Sequence, residues 1–382
     1  MTPAVPTRVV GLDRARARYG ARVDRLLPAL WRGDPLADEA HAELEADPLG
    51  WRRFEQGLAG GSMGGSAAVE ALFASVASRP SWVDVARAGR AGRLLFRSGL
   101  CGGIVLGARS LATGYCAPAG NKPLVLTGRL TTPAAASQRL AETGAFLAAV
   151  CAPGGMEPGA PGFAVTLRVR VMHARVRALA RRHPAWRAGD WGDPVNQHDL
   201  LATSLLFSQV FVDGVRAFGV GVTRAEADDW LHLWRWVSVV LGVEEALLPE
   251  DEPEARALAD LIHDTQGPPD ADARRLVDVM LSEAETRPGG GWLARGLCRA
   301  MLGDETADAL GLPDTPAKHA VRVASRLLVG PVDRLRAVLP GWEARLEGMG
   351  RAYWAASVRA SSRGRPLGYH PPERLGGRPG GG

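Results

Sequence analysis

Lysine is almost missing from this chain. Of 46 basic residues only Lys122 and Lys318 are lysines, and the arginines are scattered among 41 acidic residues. The net charge of +5 therefore makes no basic stripe, which argues against a nucleic-acid binder. Cysteine is scarce too: Cys101, Cys116, Cys151 and Cys298 are far apart and form no Cys-x-x-Cys pair. Neither a disulfide framework nor a structural zinc site is expected, and buried thiols in a reducing compartment are the plainer reading. Aromatic residues make up 6% of the sequence, and runs alternating β-branched with polar residues are rare, so little strand is expected. The N-terminal sequence MTPAVPTRVVGLDRARARYG has neither an apolar signal core nor a twin-arginine pair, and the expected location is cytoplasmic. The most apolar stretch, 94–116, is broken by Arg97 and Arg109, which points to a buried helix and to no membrane span. The glycine-rich run at 60–66 lacks the Gly-Lys-Ser/Thr ending of a phosphate loop and reads as a turn. No nucleophile elbow and no His-Glu-x-x-His element occurs.

Helical periodicity recurs throughout. Helices are expected over 13–32, 36–58, 66–78, 81–90 and 94–116. Thr132-Pro133 reads as an N-cap and first-turn proline opening a helix to about Cys151. A Pro/Gly-rich loop over 152–162 precedes a further helix, and others are expected over 196–218, 223–247, 252–266, 270–286, 291–310, 315–339 and 340–363. The fold class is all-α, with residues 1–362 as one large helical domain and 363–382 as a disordered tail. Gly99, Gly103 and Gly107 make a smooth stripe that admits a close neighbour, either another helix or a flat cofactor.

Residues 164–181 carry the most suggestive chemistry. On a helical wheel Val165, Val169, Met172, Val176 and Ala180 share one apolar face, and His173 lies at its edge. Arg170 and Arg177 stand at i−3 and i+4 from the histidine, while Arg168 and Arg175 point away. Flanking cations favour a neutral imidazole, which is the form a metal needs. Guanidinium groups also suit carboxylates. A haem is an apolar disc that asks for an axial nitrogen and carries two carboxylates, and this column could meet all three demands. The spacing alone equally describes a core-edge histidine between two solvated arginines. Elsewhere His183, His198, His232 and His263 are isolated, and Trp230, Trp234 and Trp236 recur at core spacing. Gln197 and His198 either reach a pocket or cap a helix.

The Arg-x-x-His-x-x-x-Arg element of residues 170–177 resembles the signature shared by latex-clearing proteins (rubber oxygenases) and MpaB-type oxygenases. Arg139 and Thr143, in RLAET, match the Arg-x-x-x-Thr element that stands about thirty residues earlier in that family. WRGDPLAD, GGMEPG, NQHDLLATSLLFSQVF and GDETADALGLP agree in character, so the resemblance covers about residues 20–355. It implies an all-α fold with a globin-like core and haem b as the cofactor. His173 would be the axial iron ligand, with Arg170 and Arg177 supporting the haem. Arg139 and Thr143 would lie on the distal side or near the propionates. An ordinary amphipathic helix with an Arg139–Glu142 ion pair is the alternative for that segment. The activity implied is oxidoreductase chemistry, an oxygenase or oxidase acting on an apolar small molecule with dioxygen, with no electron donor indicated. The sequence departs from the rubber-cleaving pattern in two places. Glu142 stands where those members carry a lysine next to the threonine, and the stretch around Pro123 has no acidic residue to serve as their base. With the missing export signal, these departures favour a small substrate over polyisoprenoid. A non-catalytic haem-binding or purely helical protein is the remaining alternative.

Overall fold

The computed structural model describes residues 4–60, 66–128, 132–285, 289–365 and 367. Most of the run expected to turn at 60–66, and nearly all of the tail expected to be disordered, lie outside the described residues. Among the described residues there is no strand, only an isolated antiparallel bridge between Val9 and Gln266. The all-α expectation holds.

Eight helices position the site: α1 (Pro35–Ala46), α2 (Val85–Tyr115), α3 (Pro133–Val150), α4 (Pro161–Arg182), α5 (Gln197–Phe207), α6 (Arg224–Val240), α7 (Ala271–Glu285) and α8 (Trp342–Ser362). Their starts follow local capping chemistry. Asp34, Thr132 and Asn196 each accept a hydrogen bond from an amide three residues on, which satisfies one of the orphan donors of a first turn. At α6 the Thr223 hydroxyl and the Glu226 carboxylate cap each other's amides. The cap at the head of α5 is thus Asn196, not Gln197 or His198.

Several expected boundaries shift. The helix expected over 13–32 breaks at Gly20, where φ is +59°, a backbone conformation that favours glycine. The two helices expected over 81–90 and 94–116 join into α2, which kinks at Gly99 (φ +44°, ψ −121°) and winds as a π-helix over Leu106–Leu111. The neighbour admitted by the glycine stripe is a helix, α8, which packs along α2 and α3. A Cβ added to Gly350 would lie 1.5 Å from the Phe96 carbonyl oxygen, and one on Gly103 would lie 2.2 Å from the Tyr353 hydroxyl. Only glycine permits this approach.

Val85–Tyr115 and Gln197–Ala217 are apolar and long enough to cross a membrane, yet 56% of each apolar window is buried inside the fold. Arg97 and Arg109, which interrupt the apolar stretch of α2, are also accommodated internally. Arg97 donates to Asp333, to Glu226 and to the Gly221 carbonyl, and Arg109 donates to the Met301 carbonyl. The tryptophans of α6 are core residues: Trp230 and Trp234 are fully buried, and Phe207 stacks on Trp234 at 5.2 Å. His232 accepts a hydrogen bond from the Asp84 amide.

Candidate active site

A cavity of about 240 Å³ lies between α3, α4, α5 and α7, closed by the C-terminal end of α2. Its walls are mostly apolar: Met172 and Val176 from α4, Leu140 from α3, Leu206 and Phe207 from α5, and Met280 from α7. Apolar walls with few convergent polar groups are the usual make-up of a small-molecule site. A second cavity of about 330 Å³ shares Gly114, Gly120, Asp199, Thr203 and Leu206 with the first, so the two adjoin.

The helical wheel of α4 holds. Val165, Val169, Met172, Val176 and Ala180 are all buried, while Arg168 and Arg175 reach outward to Glu55 and Glu45. His173 lines the cavity, and its Nδ1 is buried without a hydrogen-bond partner. Burial, then the nearby charges of Arg139 and Arg177, lower its pKa to about 3 against a weaker opposing pull from Asp34. The imidazole is therefore neutral across the physiological range. The expectation of a neutral imidazole is met, although burial is the leading cause and Arg139 on α3 contributes ahead of Arg177.

Arg170 and Arg177 require a correction. The sequence reading gave their guanidinium groups to the carboxylates of a bound cofactor, but both are committed to the protein's own carboxylates, and neither lines the cavity. Arg170 is buried and donates through Nε and Nη2 to Asp34 at 2.7 and 3.0 Å. Arg177, fully buried, donates to Asp38 at 2.7 Å and to the Val195 carbonyl at 3.0 Å. Val195 itself lines the cavity with φ of +50°, a conformation that is costly for a β-branched side chain. Arg170 thus ties α4 to the head of α1, and Arg177 holds a strained piece of cavity wall. The acidic partners lie within WRGDPLAD, some 130 residues away in sequence. No periodicity on α4 could reveal them.

Arg139 and Thr143 do line the cavity, as His173 does. The Thr143 hydroxyl donates to the Arg139 carbonyl at 2.9 Å, which leaves it an acceptor toward the cavity. Arg139 is the lone lysine or arginine among the lining residues. Glu142 is buried, 3.5 Å from Arg139, and is not among the lining residues. Its position gives no support to a catalytic part for this residue in the cavity. The local ion pair weighed as an alternative is present. In the rubber-cleaving pattern a lysine would stand here, so the charge reversal is kept off the cavity wall.

Three polar groups escaped the sequence reading. Asp199, from α5, lines the cavity and is held by Arg8 in a two-bond contact of 2.9 and 2.7 Å. Arg8 and His198 pull its pKa far below the usual carboxylate range against the cost of burial. Ser110 and Tyr115, from the end of α2, also line the wall, and burial pushes the Tyr115 phenol up to about 12. Gln197 does not reach the cavity. Its side chain bridges the carbonyls of Gly33 and Gly242.

An all-helical fold thus encloses an apolar cavity lined by His173, with its buried Nδ1, and by Arg139. Residues 93–340 match the model of the ER-bound oxygenase mpaB/B′/rubber oxygenase catalytic domain, and the chain belongs to that family. It is an enzyme of the oxygenase class. Among its relatives is the rubber oxygenase of Streptomyces sp. (strain K30), 25% identical over 295 residues, which are 73% of this chain and 68% of that protein. Among solved structures, a latex clearing protein in the closed state shares the fold with a TM-score of 0.64 and 21% identity, covering 86% of this chain and 91% of that one.

Proposed function

We propose that this protein is a haem b-dependent oxygenase acting on an apolar small molecule with dioxygen. The observation that carries the reading is the His173 imidazole on the cavity wall, held neutral, with a buried nitrogen that has no partner. A buried polar atom without a partner is costly in a folded protein, and metal ligation removes that cost. The residues fit the group. His173 would be the axial ligand, the apolar walls suit a macrocycle, and Arg139 is the cation available to a propionate. Haem, when bound, supplies the redox chemistry. The protein's part is to present a neutral imidazole, to exclude water with Met172, Val176, Leu206 and Phe207, and to offer the Arg139 guanidinium as a donor on the cavity wall. Arg170 and Arg177 act from behind the wall by fixing α4 and Val195.

The test is the visible spectrum of the purified protein. A strong Soret band that is lost in His173→Ala supports the reading. A colourless, folded wild type that stays colourless after haem addition overturns it. Product analysis with a panel of apolar alkenes under dioxygen then separates an oxygenase from a haem carrier.

Oxidative cleavage of a polyisoprenoid is the second reading, favoured by the Streptomyces relative's name and by a carboxylate, Asp199, among the cavity's lining residues. Polyisoprene as the substrate in the same product assay distinguishes it. A cytoplasmic location fits the small-molecule reading better, because a polymer too large to enter a cell must be met outside it.

A further inference from the structure

Serine and threonine hydroxyls inside helices ordinarily return their proton to a carbonyl one turn back. This protein follows the habit at Ser98, Ser208, Ser238, Thr143 and Thr166, each donating to a carbonyl three or four residues earlier. Ser110 does not. It is 1% exposed, it forms part of the cavity wall, and its hydroxyl has no hydrogen-bond partner. It sits in the π-helical segment Leu106–Leu111. In such winding the carbonyls pair with amides five residues on, and these bulges recur at functional sites. The segment is fixed from outside, with the Cys298 thiol donating to the Ala108 carbonyl and Arg109 donating to the Met301 carbonyl.

We infer that Ser110 is a ligand-binding residue whose hydroxyl donates to a single acceptor oxygen on an otherwise apolar ligand, as in a long-chain ketone. The proposal rests on the cavity being the substrate site. It narrows the ligand class from any apolar molecule to one bearing a carbonyl-type oxygen. Asp199 and Thr143 offer acceptors. Ser110 is a hydroxyl on the α2 wall whose proton has no partner within the protein, and the Tyr115 phenol is the other hydroxyl on that wall.

Two probes of the same shape test this: 2-decanone, which has an acceptor oxygen, and 2-methyl-1-decene, in which a methylene replaces it. Their dissociation constants are measured by calorimetry on the full-length haem-loaded protein and on Ser110→Ala and Ser110→Thr. Losing one hydrogen bond is expected to raise the ketone Kd about three- to tenfold in Ser110→Ala, while the alkene Kd stays within roughly twofold. Ser110→Thr keeps the hydroxyl and is expected to restore ketone binding. Removing a buried hydroxyl that has no partner should also leave the melting temperature of Ser110→Ala equal to or above that of wild type, whereas a structural serine would lower it. Ketone and alkene Kd values that rise together, an unchanged ketone Kd, or no ketone binding to wild type would each overturn the assignment. Failure of the haem reading is visible separately as a missing Soret band.

Discussion

The buried contact between Arg170 and Asp34 offers the sharpest test of how α4 is held. Both side chains are nearly inaccessible, at 7% and 6% exposed, and the shorter of their two hydrogen bonds is 2.7 Å. Gly242 lies against them so closely that a Cβ there would sit 2.2 Å from the Asp34 carboxylate. Removing one partner of such a pair strands the other, at a cost of roughly 3–5 kcal/mol. Asp34 is also the N-cap of α1, and that role adds about 1 kcal/mol. Asp34→Ala is therefore expected to lose about 4–6 kcal/mol, a large part of the 5–15 kcal/mol typical of a folded domain. Removing both charges tells more. Asp34→Asn with Arg170→Met keeps an acceptor for the cap and leaves no stranded cation, so it should recover most of the loss. Urea denaturation followed by circular dichroism measures each step, and the Soret band is read on the folded double variant. Retention of haem by that variant is expected, because Arg170 faces Asp34 and not the cavity. A double variant that folds as well as wild type but loses haem would refute the reasoning and return Arg170 to the ligand-binding role first drawn from sequence. So would a loss below about 1 kcal/mol in Asp34→Ala, since that is no more than the cap alone is worth.

Three further outcomes are expected. Arg139→Gln removes the lone lysine or arginine of the lining and should weaken haem retention, measured as faster transfer to apomyoglobin, with some loss of stability because the buried Glu142 carboxylate loses its cation; an unchanged transfer rate would exclude it as a propionate partner. Gly350→Ala puts a Cβ where the Phe96 carbonyl stands and should cost at least the 1–3 kcal/mol of an overpacked core; a melting temperature equal to wild type would mean that α8 does not approach α2 this closely. Asp199 has a folded pKa depressed below its unfolded value of about 3.9, so its stabilising contribution is present above that value and is lost as pH falls through the folded pKa. The acid limb of stability below about pH 4 should accordingly be flatter in Asp199→Asn than in wild type, and parallel limbs in the two proteins would dissociate Arg8 from that role.

Much of the fold was legible because it is written locally. Thr132-Pro133 opens α3 as expected, since a cap and a first-turn proline act within three residues. The apolar face of α4 was readable because its period matches the helix. Boundaries such as the kink at Gly99 and the π-helical turn were not. The kink meets α8, more than 200 residues further along the chain, at Gly350, and the π-helical turn is met by Cys298 and Met301. The site divides in the same way. Spacing on α3 placed Arg139 and Thr143 on one face, and both line the cavity.

What the sequence by itself determined is that this chain is helical, and that His173 sits at a core margin in an Arg-rich helix with family-like neighbours. Tertiary structure alone decided what each arginine does. A guanidinium's partner depends on which carboxylate the fold brings within about 3 Å, and Asp34, Asp38 and Asp199 all arrive at their contacts from distant segments. Arg170, Arg177 and Arg8 were therefore drawn into the protein's own ion pairs, and Arg139 was left facing the cavity. The same packing put Asp199 on the cavity wall and left Ser110 with an unspent hydroxyl, neither of which any local pattern encodes.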